Sequence, residues 1–176
     1  MEKFEGTIAI VTGASGGIGL GIAKKLVQFS RLEVIGFSRR EIKLPEPNFR
    51  NHVTWVRYTV YDIFENKYKI SNFIQSWIKC DVGNAEDVEN AFSEISLKFP
   101  GKRISILINN AANAKLLPLL DHEKIVTKSC VQPESLGEAA DIYRGMMDTN
   151  ILGPTLVTRA AMKYFDHTKV FLNIKL

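Results

Sequence analysis

The fold of this chain is decided by residues 12–19, which read Thr-Gly-Ala-Ser-Gly-Gly-Ile-Gly and follow a short apolar, β-branched run at residues 8–11. Apolar residues then recur at helical spacing: Ile18, Ile22, Leu26 and Phe29. The pattern predicts a strand, a glycine turn and a helix over about residues 17–29 that buries Ile18, Ile22 and Leu26 against a sheet. Glycine suits the turn because it adopts backbone angles closed to other residues and lets a phosphate approach the backbone. The helix behind the turn would present unpaired N–H groups and a positive dipole end to that phosphate.

Length and composition are those of one globular domain. The 176 residues suffice for a single core, and hydrophobic and charged contents of 45% and 24% are ordinary for a soluble protein. A net charge of +4 is too mild for a dedicated nucleic-acid binder, so no nucleic-acid partner is expected. The chain has no run of about 18 apolar residues and no apolar signal core at its start, so no membrane span or membrane partner is expected.

The cysteines and histidines favour a cytoplasmic protein without a metal site. Cys80 and Cys130 have no metal-ligand spacing, and two thiols do not make a disulfide scaffold, so a reducing compartment is the default. The three histidines, His52, His122 and His167, are scattered along the chain and are interpreted as surface residues.

A second strand is predicted at residues 33–37, and Ser38-Arg39-Arg40 follows it. With the first strand and helix it completes a β-α-β unit, whose crossover is nearly always right-handed. In dinucleotide folds the end of the second strand meets the adenosine ribose, where an acidic residue holds a 2′-OH and arginine suits a 2′-phosphate. Because guanidinium groups match phosphate in a bidentate way, Arg39 and Arg40 predict NADP in preference to NAD. The alternative is two solvated arginines in a turn, and the adjacent Glu41 weakens the NADP interpretation.

The next segment does not continue the pattern, because prolines at positions 45 and 47 break the expected helix early. Residues 53–60 have the composition of a strand, and five later apolar residues could form one helical stripe. These are Ile63, Phe64, Ile70, Phe73 and Ile74. Joining Trp55 directly to Ile78 would give a well-formed strand, so residues 56–77 are predicted to be an insertion foreign to the basic fold. The insertion would be translated non-coding sequence or a lineage-specific loop.

A third strand is predicted at residues 78–82 and a fourth at residues 104–108, with a helix between them. Asn84 caps this helix, and acidic residues at 86 and 87 favour its first turn. Its buried stripe is predicted to comprise Val88, Ala91, Phe92, Ile95 and Phe99. The fourth strand is nearly all apolar, as expected for a strand buried on both faces.

The last third of the chain is predicted to hold a loop, a long helix and a fifth strand. The loop covers residues 114–136, the helix residues 136–165 with an interruption near Gly153-Pro154, and the strand residues 169–174. Asn150 lies within the helix, where an isolated asparagine is most simply a surface residue.

Four motifs, taken in order, resemble those of the short-chain dehydrogenase/reductase family. They are T-G-x-x-x-G-x-G from Thr12 to Gly19, Asp81-Val82, Asn109-Asn110-Ala111, and Asn150. The resemblance covers the chain except for residues 56–77 and a loop near residues 125–134. It implies an α/β fold in one domain, residues 1–176: a three-layer, Rossmann-type, doubly wound parallel sheet that is incomplete at its C-terminal end.

The resemblance implies hydride transfer between NADP(H) and an alcohol or carbonyl substrate, and it implies no metal. The implied cofactor-binding residues are Gly13, Ser15, Gly17, Ile18, Gly19, Arg39, Arg40, Asp81, Val82, Asn109 and Ala111. In the family, an acidic residue at the place of Asp81 bonds to the adenine amino group. An asparagine at the place of Asn150 helps to bend the helix and holds a water of the proton relay, so Asn150 is the predicted catalytic residue.

The family's chemistry also needs a serine to polarise the carbonyl oxygen and a tyrosine whose pKa is lowered by the lysine of a Y-x-x-x-K motif. No tyrosine of this chain heads that motif, and Lys175-Leu176 stands where the serine segment would start. The sequence is therefore interpreted as a C-terminally truncated form that lacks the serine, tyrosine and lysine.

Three hypotheses stay open at this point. The chain is an incomplete NADP-dependent dehydrogenase or reductase, or a non-catalytic fragment that binds NADP(H) or dimerises through its long helix. It is otherwise a fragment that does not fold stably, because a shortened sheet leaves an unpaired apolar edge. The first hypothesis implies a small-molecule alcohol or carbonyl substrate and a possible homo-oligomer.

Overall fold

The computed structural model of this chain describes residues 4, 6–29, 32–40, 58–62, 67–71, 75–115, 133–165 and 172–175. Its strands are β1 (Ile8–Thr12), β2 (Glu33–Ser38), β3 (Tyr58–Asp62), β4 (Lys67–Ser71), β5 (Gln75–Lys79), β6 (Ile104–Asn109) and β7 (Leu172–Lys175). Its helices are α1 (Gly17–Phe29), α2 (Ala85–Lys98), α3 (Leu136–Met147) and α4 (Gly153–Ala161). A π-helical turn, Asp148–Leu152, joins α3 to α4, and a 3₁₀ turn, Met162–Tyr164, follows α4.

Five strands form one parallel sheet in the order β5-β2-β1-β6-β7. From β1 the chain adds strands first on one side and then on the other, so the strand order reverses between β1 and β6. In open α/β sheets a ligand binds at such a switch point, beyond the carboxyl ends of the strands. The prediction of a doubly wound parallel sheet is confirmed.

Helices cover both faces of the sheet, and this explains the composition of its strands. Helix α1 packs on one face, against a core that includes Ala9 and Val34, while α2 and α4 pack on the other, against Ile10 and Leu107. Successive residues of β1 therefore point into two different cores, and residues 8–11 are all fully buried. A strand buried on both faces is apolar at consecutive positions, and this explains the continuous apolar sequence of residues 8–11.

Helix α1 has the predicted bounds but turns a different face to the sheet. Gly19, Ala23 and Val27 are buried, whereas Ile18 is 71% exposed and Ile22 and Leu26 are only half-buried. The predicted burial is therefore wrong for Ile18, whereas Ile22 and Leu26 are half-buried and pack against the core. The reason is close packing, since a Cβ added at Gly19 would lie 2.5 Å from the Gly13 carbonyl oxygen. Small residues at positions i and i+4 bring this face of the helix onto the turn and the sheet.

Helix α2 agrees with its prediction in detail. The Asn84 side chain accepts a hydrogen bond of 3.1 Å from the backbone N–H of Asp87, which caps the helix. All five residues of the predicted apolar stripe are buried. Phe92 packs edge-on against Phe37 of the sheet and is stacked with Tyr164, at centroid distances of 5.7 and 5.6 Å.

Strands β3 and β4 form a separate antiparallel pair within the predicted insertion, residues 56–77. The helical stripe that included Ile70 is wrong, because Ile70 lies in β4 and pairs with Thr59; the other four stripe residues lie outside the described residues. Alternating aromatic and β-branched residues favour strands there. The insertion itself stays a prediction.

Strand β5 begins at Gln75, three residues before the predicted third strand, and it ends at Lys79. It pairs with β2 over its whole length, so Trp77 is part of the sheet. The chain leaves the strand early because Asp81 starts a turn: its carbonyl accepts a 3.0 Å bond from the Asn84 N–H, and its own N–H donates to the Asp87 carboxylate at 2.8 Å.

The predicted interruption of the long helix is confirmed and is the π-helical turn that ends just before Gly153-Pro154. Proline has no N–H to donate to the carbonyl four residues earlier, which is that of Asn150. Strand β7 covers the C-terminal part of the predicted fifth strand, whose first three residues lie outside the described ones. No helix in the described ranges is long and apolar enough to cross a membrane.

Candidate nucleotide-binding site

A cleft of about 330 Å³ opens at the carboxyl ends of β1, β2, β5 and β6, where the strand order reverses. Four segments line it: the glycine turn, the end of β2, the exit from β5 and the start of the loop after β6. The π-helical turn closes one side through Thr149. The position is the one that a doubly wound sheet offers to a ligand.

The glycine turn takes its shape from its neighbours. Gly13 and Gly17 have φ angles of +68° and +53°, which side-chain-bearing residues rarely adopt. A Cβ at Gly13 would lie 2.8 Å from the Cα of Ala111, so the turn and the loop after β6 touch through backbone. The Gly13 and Ala14 N–H groups both donate to the Phe37 carbonyl, at 2.8 and 3.3 Å, and this fixes the turn to β2.

Thr12 joins the turn to the loop after β6. Its hydroxyl oxygen accepts hydrogen bonds from the backbone N–H groups of Asn110 and Ala111, at 3.0 and 2.9 Å. The Asn110 side chain donates in return to the Thr12 carbonyl at 3.0 Å. Because these bonds join residues about a hundred positions apart, the cleft is assembled by the packed sheet and not by local turns.

The charged residues of the cleft lie at its end beside β2. Arg39 and Arg40 are exposed at the end of β2, and an Nη atom of Arg39 lies 3.7 Å from the Asp81 carboxylate. The other Asp81 carboxylate oxygen accepts a 3.1 Å bond from the Gly83 N–H, so Asp81 is held in place. Exposed ion pairs of this kind contribute about 0–1 kcal/mol, so a ligand phosphate could displace Asp81 as the partner of Arg39 at small cost.

Cys80 lines the cleft, but its thiol is unreactive at neutral pH. Burial raises the pKa of its thiol to about 12, and the carboxylates of Asp87 and Asp81 add to the rise. The thiol is therefore protonated at neutral pH, and the thiolate that would attack a substrate or bind a metal does not form. The described part of the chain contains no cluster of residues suited to a metal ion.

Asn150 sits in the π-helical turn and is held through backbone groups. Its side chain accepts from the Asn113 N–H at 2.8 Å and donates to the Asn113 carbonyl at 2.9 Å. Its own carbonyl, which Pro154 cannot engage, accepts a 3.0 Å bond from the Lys175 ammonium group at the end of β7. Single π-helical turns are often found at functional sites. Three distant segments therefore meet at Asn150.

The structure brings most of the predicted site residues to the cleft. Eight of the predicted cofactor-binding residues line it: Gly13, Ser15, Gly17, Arg39, Arg40, Asp81, Val82 and Ala111. Ile18 is exposed and does not belong to the lining, and Gly19 packs against the Gly13 backbone behind the turn. Asn109 is buried behind the cleft, where its amide donates to the Thr158 hydroxyl at 3.2 Å, and Asn150 lies outside the lining.

Other lining residues were not predicted. They are Gly16, Phe37, Ser38, Cys80, Asn110, Ala112 and Thr149. Asn110 could have been found, because it belongs to the same motif as Asn109 and Ala111. Thr149 could not, because its place depends on the π-helical turn.

A parallel, doubly wound sheet with a glycine turn at its switch point defines a Rossmann-type nucleotide-binding protein. The family model described as short chain dehydrogenase matches residues 7–170. The chain belongs to the short-chain dehydrogenase family.

Curated relatives and a solved structure are also similar to this chain. Dehydrogenase/reductase SDR family member 11 from Homo sapiens is 30% identical, with 97% of this chain and 52% of the relative covered. The Gallus gallus protein of the same name is 28% identical, with 92% and 50% covered. A metagenomic short-chain oxidoreductase, solved in complex with NADP, is 20% identical with a TM-score of 0.62, covering 98% of this chain and 62% of that one. The chain spans about half the length of the curated relatives it matches.

Proposed function

We propose that this chain binds NADP(H) in its cleft, in preference to NAD(H), and forms the cofactor-binding part of an oxidoreductase acting on an alcohol or carbonyl carbon. The observation that carries the proposal is the exposed Arg39-Arg40 pair at the rim of a cleft whose floor is a glycine turn. Arginine at this place suits the 2′-phosphate that distinguishes NADP from NAD. The NADP complex of the metagenomic relative supports it.

The lining residues divide among the parts of the cofactor. The glycine turn and the N-terminus of α1 would hold the pyrophosphate, because they offer backbone N–H groups and a positive dipole end. Arg39 and Arg40 would hold the 2′-phosphate, and Asp81 would accept a hydrogen bond from the adenine amino group. The nicotinamide side would lie toward Ala111 and Thr149. Bound NADP(H) would supply or accept the hydride.

Turnover requires groups that this sequence does not arrange in the family's pattern. None of the five tyrosines is followed by a lysine four residues on. We therefore expect the 176-residue chain to bind the cofactor without reducing a carbonyl substrate. In a protein that also carries the family's serine, tyrosine and lysine, Asn150 would support the proton relay through its backbone carbonyl, where Lys175 now donates.

Calorimetry with fragments of the cofactor tests the proposal. Adenosine 2′,5′-bisphosphate should bind at least about tenfold more tightly than adenosine 5′-monophosphate, since charge-assisted hydrogen bonds are each worth about 1.5–3 kcal/mol. The double variant Arg39→Ala/Arg40→Ala should abolish the difference. Arg144→Ala is the matched control, because Arg144 is exposed on α3, pairs with Asp141 and does not line the cleft. Equal binding of both nucleotides by the unmodified chain would contradict the proposal.

A second candidate function is self-association. Helix α3 and the turn after it expose apolar side chains on one stripe: Leu136, Tyr143, Met147 and Ile151. Exposed apolar patches of this kind often mark protein interfaces. Sedimentation velocity would test this, with a dimer expected for the unmodified chain and a monomer for Met147→Asp.

A further inference from the structure

A chain of three hydrogen-bonded groups ends at the arginine pair. The indole Nε1–H of Trp77 donates to the hydroxyl of Ser38 at 2.7 Å. The Ser38 hydroxyl donates in turn to the backbone carbonyl of Arg40 at 2.5 Å. A residue of β5 is thereby connected to the turn that carries both guanidinium groups.

The chemistry of the three groups fixes the direction of this chain. A serine hydroxyl has one hydrogen to donate, and an indole nitrogen can only donate. With its hydrogen committed to the Arg40 carbonyl, Ser38 receives the indole hydrogen on its oxygen. Ser38 is buried, with 6% of its surface exposed, so few other partners compete for its hydroxyl.

The pairing of β5 with β2 places the indole ring of Trp77 within hydrogen-bond reach of the Ser38 hydroxyl. Trp77 pairs in register with Gly36 on the neighbouring strand β2, two residues before Ser38. Residues two apart on a strand lie on the same face, so Trp77 and Ser38 are diagonal neighbours, and Gly36 presents no side chain between them. Trp77 is also packed against the core beside α1, which limits its movement.

We propose that Trp77 and Ser38 are positioning residues for the recognition of the 2′-phosphate, because they hold the backbone of the Arg39-Arg40 turn at the rim of the cleft. The inference rests on the proposed NADP function. Arg39 and Arg40 are exposed, so their own side chains give the turn little packing. The Ser38 hydroxyl ties the Arg40 carbonyl to the end of the strand, and Trp77 keeps that hydroxyl oriented.

The first test needs no cofactor. Trypsin should cleave after Arg39 and Arg40 faster in Trp77→Phe and in Ser38→Ala than in the unmodified chain, since a less constrained segment opens more often. Cleavage after Lys98, at the end of α2, reports global unfolding and should not accelerate in parallel. Ser38→Thr keeps a hydroxyl and should restore slow cleavage. Ser93→Ala is the matched control, because Ser93 is exposed on α2 and its hydroxyl donates to the Glu89 carbonyl of the same helix.

The second test measures cofactor selectivity. Trp77→Phe should lower the NADPH-over-NADH binding ratio about threefold to tenfold, the equivalent of one net hydrogen bond, with the NADH dissociation constant nearly unchanged. Ser38→Ala should do the same. The double variant should lose no more than the larger single loss, because both residues act through one chain of bonds.

The outcomes separate the two proposals. Local acceleration of cleavage at the turn, in a chain that binds neither nucleotide, would contradict the NADP function and support the role of Trp77 in holding the turn. Equal cleavage at the turn in Trp77→Phe and the unmodified chain would overturn the positioning role. So would NADPH binding with a selectivity ratio that Trp77→Phe leaves unchanged.

Discussion

The two ends of the cleft are built from different kinds of contact. At the end beside β2, Arg39, Arg40 and Asp81 place charged groups on the rim of the sheet. At the other end, the side chains of Asn110, in the lining, and of Asn150, which follows the lining residue Thr149, bond to backbone groups of distant segments. A charged rim can be altered at little cost in stability, whereas removing an amide that joins segments lowers the free energy of unfolding. The comparison teaches that affinity and stability are separable at one end of this cleft and coupled at the other.

The largest effect should come from Thr12→Val, at the coupled end. The valine has nearly the same shape but leaves the backbone N–H groups of Asn110 and Ala111 without their acceptor. The free energy of unfolding should fall by about 2–4 kcal/mol, and NADPH binding should weaken with it. Urea unfolding would measure this, with Thr155→Val, an exposed threonine on α4, as control. A loss below about 0.5 kcal/mol would contradict the claim that the contacts of Thr12 stabilise the fold.

Gly19→Ala should follow in size. The new Cβ would clash with the Asn110 side-chain nitrogen and would lie 2.5 Å from the Gly13 carbonyl oxygen, so the helix must move away from the turn. We expect a loss of about 1–3 kcal/mol in unfolding free energy and weaker nucleotide binding. Gly21→Ala is the matched control in the same helix, because no atom lies within 4 Å of its added Cβ. The control should be stabilised by up to about 1 kcal/mol.

Asn150→Ala should lower the stability of the chain more than its affinity for NADPH. It removes both hydrogen bonds to the Asn113 backbone, so unfolding should become about 1–2 kcal/mol easier. The NADPH dissociation constant should change far less than in Arg39→Ala/Arg40→Ala, since Asn150 lies outside the cleft lining. Thermal unfolding and fluorescence titration would measure the two effects, with the exposed Asn90→Ala as control. A variant of full stability would contradict the joining role of Asn150.

The smallest effect at neutral pH concerns Cys80, whose contribution depends on pH. Its thiol has a pKa of about 12 in the folded chain and near 9 when unfolded, so both states hold the proton below pH 9. Above pH 9 the unfolded chain releases the proton first, so stability should fall between pH 9 and 12. Cys80→Ala should make this fall shallower, which urea unfolding at several pH values would measure. Identical pH profiles for the two proteins would rule out the contribution of the buried thiol.

Local patterns sufficed to predict much of the fold. The apolar run of β1, the cap and stripe of α2 and the interruption at Pro154 are each specified by neighbouring residues. The buried face of α1 was missed because glycine and alanine at positions 19 and 23 give no strong hydrophobic signal. Packing against the turn decides that face, and packing is not visible in a sequence.

The site residues could be predicted where a sequence motif alone decides which residues line the cleft. They could not be predicted where the register of a strand decides it. Either of two adjacent asparagines could face the cleft, and a shift of one residue in β6 exchanges them. The structure turns Asn109 toward α4 and Asn110 toward the glycine turn. Likewise, the start of β5 at Gln75 depends on pairing with β2 and not on its own polar residues.

The central claim is tested most directly by titrating the purified 176-residue chain with NADPH and with NADH while tryptophan fluorescence is followed. Because Trp77 lies one hydrogen bond from Ser38 in the cleft lining, its emission should respond to occupancy. The account predicts saturable binding of both, with NADPH at least about tenfold tighter. Equal affinities, tighter NADH, or no binding of either nucleotide would contradict it.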